Sequence, residues 1–142
     1  MAREAFEDIV ENFELFDDWE DRYRYVIELG KEMAPLPEDR KSDAAKVDGC
    51  ASQVWLIPDV REEAGGQHLY FDGDSDAMIV RGLIAVLRTL LSGASVNEIS
   101  TMDVQAELAR LGLEQHLSSQ RSNGLKAMIG RLKDLAGAAQ AA

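Results

Sequence analysis

One cysteine, two histidines and three prolines in 142 residues leave this chain short of material for several chemistries. A single thiol closes no internal disulfide, and with two scattered histidines it makes neither a structural zinc set nor a cluster-binding group of thiolates. No metal site is expected. Basic residues are also scarce: 15 Lys and Arg stand against 26 Asp and Glu, a net charge of −11. Such a surplus repels phosphate backbones and anionic lipid surfaces, so nucleic acid and membranes are poor partners. No apolar run approaches membrane-spanning length, and the start MAREAFEDIVENF lacks the basic-then-apolar order of a signal peptide. The expected location is cytoplasmic. The glycines of GDSDAMIVRG are too sparse for a phosphate-cradling loop, so no cofactor site is expected either.

What is present describes a globular chain. The apolar share is 46% and the charged share 29%, and the length allows one domain, 1–142, to bury a core without staples. The acid is uneven: residues 1–43 hold 14 acids against 6 bases, a net of −8, and the remainder 12 against 9, a net of −3. A Glu-rich solvated helix face accounts for this more simply than an acidic docking surface does. Phe6, Ile9, Val10, Phe13 and Phe16 recur at helical spacing over 3–16. Asp17 or Asp18 then caps a second helix carrying Trp19, Tyr23, Val26, Ile27 and Gly30 on one face, stopped by APLP.

After the polar loop EDRKSDAAK, residues 52–57 favour strand, with Val54 and Leu56 on one face and Trp55 and Ile57 on the other. Pro58 ends this run or places it at an edge. HLYFDGD, 68–74, supplies a second strand, pairing as an antiparallel hairpin with a somewhat long connection around EEAGGQ. Asp74 or Ser75 caps a strongly apolar helix whose inward stripe is Met78, Ile79, Leu83, Val86, Leu87, Leu90 and Leu91, closed by Gly93. Short helices follow after Ser95 and over 103–111, and Ser118 or Ser119 caps a last helix with Leu125, Met128, Ile129, Leu132 and Leu135 inward. The AGAAQAA end is expected to fray. The order is α+β: helices flanking a small antiparallel sheet.

Cys50 stands at a glycine bend just before the first strand, in KVDGCASQVWLI. A lone cytosolic cysteine is most often a small buried hydrophobe, but Gly49 permits a bend there, and loops are where reactive groups are displayed. His68 and His116 are available in principle as a base beside it, though neither spacing specifies contact. Arg121 falls in the first turn of the last helix, where the macrodipole disfavours a cation by roughly 0.3–1 kcal/mol. An exposed arginine screened by water would bear that cost unaided.

Taken together, LPEDRK, VDGCASQVWL, GDSDAMIVRGLIAVL and HLSSQRSNGLKAMI, in this order, resemble the SufE family of sulfur acceptors and its relative CsdE, from the second helix to the last. The resemblance implies a fold shared with IscU-type cluster scaffolds. It also implies a thiol, matching Cys50, that accepts persulfide sulfur from a pyridoxal-phosphate cysteine desulfurase of the SufS or CsdA kind and activates that enzyme. The sulfur would pass to an iron–sulfur scaffold or another acceptor. The pyridoxal phosphate belongs to the partner, and no independent turnover is implied. Gly49, Ser52 and Trp55 would shape the loop, and Asp76 and Arg121 would neighbour it or touch the partner. Val47, Val54, Trp55 and Met78 are candidates to line a pocket for the thiol. Ala51 departs from the often polar family position, and the acidic start matches no motif. Two other roles compete: a stand-alone thiol enzyme using Cys50 with a histidine, and a non-catalytic adaptor of the desulfurase.

Overall fold

In the computed structural model, which describes residues 2–50 and 52–141, the chain begins with two helices. The inner face of α1 (Ala2–Leu15) is Phe6, Ile9, Val10 and Phe13, all buried; Phe16, expected with them, lies just past the helix end and is half-buried. Asp18 caps α2 (Trp19–Glu32) by accepting a 2.9 Å bond from the Glu20 amide. Arg22 closes the other side of this corner: its Nε donates to the carbonyls of Phe13 and Phe16, each at 3.0 Å. The Phe13 carbonyl also accepts the Phe16 amide at 3.2 Å, so the side chain ties the last turn of α1 to the link that follows it.

β1 (Val54–Glu63) and β2 (Gly66–Ser75) pair antiparallel from Val54↔Ser75 to Glu63↔Gly66. Their connection is Ala64 and Gly65 alone, shorter than the sequence suggested. Gly65, in the turn, and Gly66, which opens β2, have φ of 90° and 122°, values that glycine adopts without the strain an L side chain would bear. Pro58 does not end the first strand. In the strand order β1-β2-β3, β1 is an edge, and a residue without an N–H is tolerated there. β3 (Ala94–Ser95) pairs with Leu69 and His68; two residues are too few to leave a periodicity in the sequence.

α3 (Met78–Leu91) is the central helix, packed on β2, α2 and α1, with Val80, Leu83, Ile84, Val86, Leu87, Leu90 and Leu91 buried. Two glycines let α2 and α3 touch backbone to backbone. A Cβ on Gly82 would stand 2.2 Å from the Val26 carbonyl oxygen, and one on Gly30 2.6 Å from the Gly82 nitrogen. Met78, expected in the inward stripe, is 54% exposed, because it is the first helical residue and lies outside the packed turns. Asp74 is not the cap either. The N-cap is Ala77, whose amide reaches Ser75 Oγ at 3.2 Å.

The Asp74 carboxylate is buried and accepts from Arg81 Nη1 at 3.1 Å, the Leu36 amide at 3.0 Å and its neighbour Ser75 at 2.8 Å. Lys41 Nζ lies 3.7 Å away. A buried carboxylate needs such partners, and these ones tie segment 34–41 to the head of α3.

Ser95 and Glu98 form a capping box on α4 (Val96–Thr101), and Asp103 caps α5 (Val104–Ala109). Gly112, φ 67°, leads into a 3-10 turn over Leu113–His116, and α6 (Ser119–Ala141) packs on α4 and β2. Its inner face is Leu125, Met128, Ile129 and Leu132. The helix continues through the alanine-rich end to Ala141 where fraying was expected; alanine has the highest helix propensity. No helix among the described residues is long and apolar enough to cross a membrane.

Candidate functional site

The chain between Val47 and Val54 forms a loop pinched at its base; Ala51, within it, lies outside the described residues. The Val47 amide donates to the Val54 carbonyl at 2.8 Å, the Leu56 amide to the Ala45 carbonyl at 2.9 Å, and Lys46 bridges to Trp55. Gly49 has φ 91°, a conformation that costs an L side chain strain. The loop then lies along α6. A Cβ at Gly49 would stand 3.4 Å from Ala127 Cβ, and one at Gly124 would stand 3.5 Å from Cys50 Sγ and 3.8 Å from Cys50 Cα. Gly124 and Ala127 are three residues apart, so one face of the helix presents small residues to the loop.

On its other side the loop is latched to the head of α3. Asp76 Oδ1 accepts from the Gln53 amide at 3.0 Å, and the Asp76 amide donates to the Gln53 carbonyl at 3.3 Å.

The latch, α3 and α6 enclose a cavity of about 190 Å³ with Cys50 in its wall. Val54, Val80, Leu83, Leu125 and Met128 make an apolar floor; Ser52, Ser118, Gln120 and Arg121 make a polar rim. Cys50 is half-buried, its Sγ 3.6 Å from the Gly124 carbonyl. Burial, and then the negative charge of Asp48, push this thiol above its ordinary pKa. Ser118 caps α6 by accepting from the Arg121 amide at 3.2 Å, which sets Arg121 in the first turn as the sequence placed it. Its guanidinium is not the screened surface group that would cost nothing to explain. Arg121 is half-buried, and its Nη1 is shielded from solvent with no hydrogen-bond partner among the described residues. An unsatisfied buried donor of this kind costs about 1–3 kcal/mol.

Of the residues singled out in the sequence, Gly49, Ser52, Asp76 and Arg121 therefore converge on Cys50. Trp55 does not enter the cavity. Strand alternation sends Val54 in and Trp55 to the opposite face, where Lys41 Nζ sits 5.1 Å from its ring centre. Val47 and Met78 also fall outside the lining. Gly124, Ser118 and the floor residues Val80, Leu83, Leu125 and Met128 were missed as site residues. A glycine in mid-helix is a local cost that hints at close approach, but the sequence does not say to what. Neither histidine accompanies the thiol: His68 Nδ1 bonds the Gly93 carbonyl at 2.9 Å, and His116 stacks on Trp19 with ring centres 3.7 Å apart. A cysteine–histidine pair is not built among the described residues.

Comparison with known proteins gives the family and the fold. The family model for SufE, the Fe-S metabolism associated domain, matches residues 7–136. An uncharacterized SufE-like protein of Rhizobium meliloti strain 1021 is 47% identical over 129 residues, 91% of this chain and 92% of that protein. One from Rhizobium etli is 45% identical over 130 residues, 92% and 88% of the two chains. A solution structure of a hypothetical protein from Thermus thermophilus superposes with a TM-score of 0.72 at 24% identity, covering 97% of each chain, and so shares the fold. With the matched domain spanning nearly all its elements and two relatives above 40% identity, the chain belongs to the SufE family of iron–sulfur metabolism.

Proposed function

We propose that this protein is a sulfur carrier: Cys50 takes persulfide sulfur from a pyridoxal-phosphate cysteine desulfurase, the protein stimulates that enzyme, and the sulfur passes on to iron–sulfur assembly. The observation that carries the reading is a sheltered thiol lining one cavity with an arginine whose guanidinium has no ion pair or hydrogen-bond partner among the described residues. In the transfer step the Cys50 thiolate attacks the outer sulfur of the donor persulfide. The donor S–S bond breaks, its inner sulfur leaves as a thiolate and is protonated, and Cys50 holds the sulfane sulfur. A second thiolate on the acceptor repeats the exchange in the opposite sense. The pyridoxal phosphate stays with the partner, and the carrier needs no cofactor of its own.

Both requirements of a carrier are answered by the site. The apolar floor keeps a loaded sulfur from water and oxidants, and Arg121 in the same lining supplies a positive charge near the persulfide anion. Delivery requires the loop to leave the cavity, and its hold consists of the Asp76–Gln53 latch and contacts with small residues of α6. A desulfurase that binds the loop-out form more tightly shifts the population by no more than that difference in affinity.

The test is intact mass after incubation with a cysteine desulfurase, pyridoxal phosphate and cysteine. The protein is expected to gain sulfur that a reductant removes, and Cys50→Ser to abolish the gain. An unchanged mass while the desulfurase turns over would overturn the carrier reading and leave the adaptor role.

A further inference from the structure

The cavity is larger than a carried sulfur needs. A water molecule's share of liquid volume is about 30 Å³, and a single sulfane sulfur fills a space of that order. Most of the 190 Å³ is then left over. The remainder is not a featureless void: one wall carries the thiol, the floor is apolar, and the rim holds Arg121, whose guanidinium has no ion pair or hydrogen-bond partner among the described residues. Ser118 and Gln120 are exposed, so the space opens to solvent on their side. A ligand that completes this site carries a reactive sulfur to meet Cys50, a short carbon skeleton to cover the floor, and an anionic oxygen pair to satisfy the guanidinium.

We infer that the cavity is also a substrate site for low-molecular-mass persulfides bearing a carboxylate, which load Cys50 directly, without a desulfurase. The inference rests on Cys50 being a persulfide carrier, and adds a second donor class to it. The reaction is R–S–SH plus the Cys50 thiolate giving Cys50–S–SH plus the thiolate RS⁻. The new bond joins Cys50 Sγ to the outer sulfur, and the donor S–S bond breaks. The donor's inner sulfur is reduced to a thiolate that takes the proton Cys50 gave up, so no outside oxidant enters. An inorganic donor such as thiosulfate has no carbon skeleton for the floor and brings two negative charges to a strongly acidic protein, and it suits the site less well.

Purified protein, with no desulfurase present, is incubated with N-acetylcysteine persulfide or with the persulfide of N-acetylcysteine amide, which differ only in the carboxylate. Loading of Cys50 is followed by intact mass. The carboxylate donor is expected to load about tenfold faster or more, the factor for one charge-assisted hydrogen bond, with a rate that saturates in donor concentration. In Arg121→Ala the ratio between the two donors falls to near one, and Arg121→Lys, which keeps the charge without the fork, lies between. Equal rates for the two donors in the parent protein, a rate linear in donor concentration, or equally fast loading by thiosulfate overturns the inference. So does loading by the desulfurase alone, which leaves the carrier reading intact. Failure of every donor, including a turning-over desulfurase, refutes the carrier reading and this inference with it. Should the Arg121 variants misfold, protection in the parent protein decides: N-acetyl-S-methylcysteine slows alkylation of Cys50 while its amide does not, and equal effects of the two overturn the site.

Discussion

Replacing Asp76 by alanine isolates the energy that keeps the Cys50 loop closed. The change removes the 3.0 Å bond from the Gln53 amide and leaves the 3.3 Å backbone bond in the opposite direction. A hydrogen bond to a charged group is worth roughly 1.5–3 kcal/mol net, and water competes at this exposed position, so about 1–1.4 kcal/mol is a fair value. A shift of that size raises the open population some five- to tenfold, since about 1.4 kcal/mol is a factor of ten. Alkylation of Cys50 by a maleimide carrying a polyethylene glycol chain, too bulky to enter the cavity, is read by intact mass and is expected to quicken by the same factor. The thiol's own titration is a separate lever, because the carboxylate acting on it is Asp48. Asp48→Asn is therefore expected to move the inflection of rate against pH downwards, whereas Asp76→Ala raises the rate across the range. Both variants should stay slower than a free thiol, whose pKa is not raised by burial. An Asp76→Ala rate within twofold of the parent, or one changed only through a displaced inflection, would refute the latch.

Other outcomes follow from the same geometry. Gly82→Ala forces a methyl to 2.2 Å from the Val26 carbonyl oxygen and is expected to cost about 3 kcal/mol in denaturant unfolding. Gly130→Ala, with nothing within 4 Å, should instead gain about 0.5–1 kcal/mol. Arg121→Ala should lower the desulfurase-dependent transfer rate about tenfold with the partner subsaturating, while unfolding midpoints change far less; equal transfer rates would return the residue to a surface role. His68 should titrate above its ordinary pKa by NMR, held there chiefly by its bond to the Gly93 carbonyl, with Glu63 adding to it. Its contribution to stability is accordingly present below the unfolded pKa and lost as pH rises through the folded one, and His68→Gln should flatten that part of the stability profile.

The helices, the hairpin and the position of the thiol were legible because each depends on local pattern. Phe6, Ile9, Val10 and Phe13 declare a helix face wherever that helix packs, and Gly49 before Cys50 declares a bend. What stayed hidden depends on contacts between distant segments. Asp74 reads as a helix cap until segment 34–41 folds over it and Arg81 arrives from the next helix. Trp55 looks like a pocket residue beside a cysteine, yet the alternation of its own strand turns it away. Arg121 could be flagged by its unfavourable place in a helix dipole, but only the fold supplies the second fact, a buried N–H with no acceptor among the described residues. Gly124 was silent for the same reason, since its value lies in what a loop 74 residues away brings against it.

The Ala64–Gly65 turn has a practical use. A strand advances about 3.3 Å per residue, so the ten residues of β1 carry the hairpin tip roughly 30 Å from the strand's base beside the Cys50 loop. At Gly65 and Gly66 no atom stands within 4 Å of where a side chain would begin. A reporter peptide inserted there meets only a loop-closure cost, about 0.6 kcal/mol for each doubling of its length. Because the chain offers a single thiol, a second dye can be placed at Cys50 alone. Energy transfer between the hairpin tip and position 50 then reports where the opened loop stands, since a dye too large for the cavity holds it out, and how that position changes as a desulfurase is titrated in.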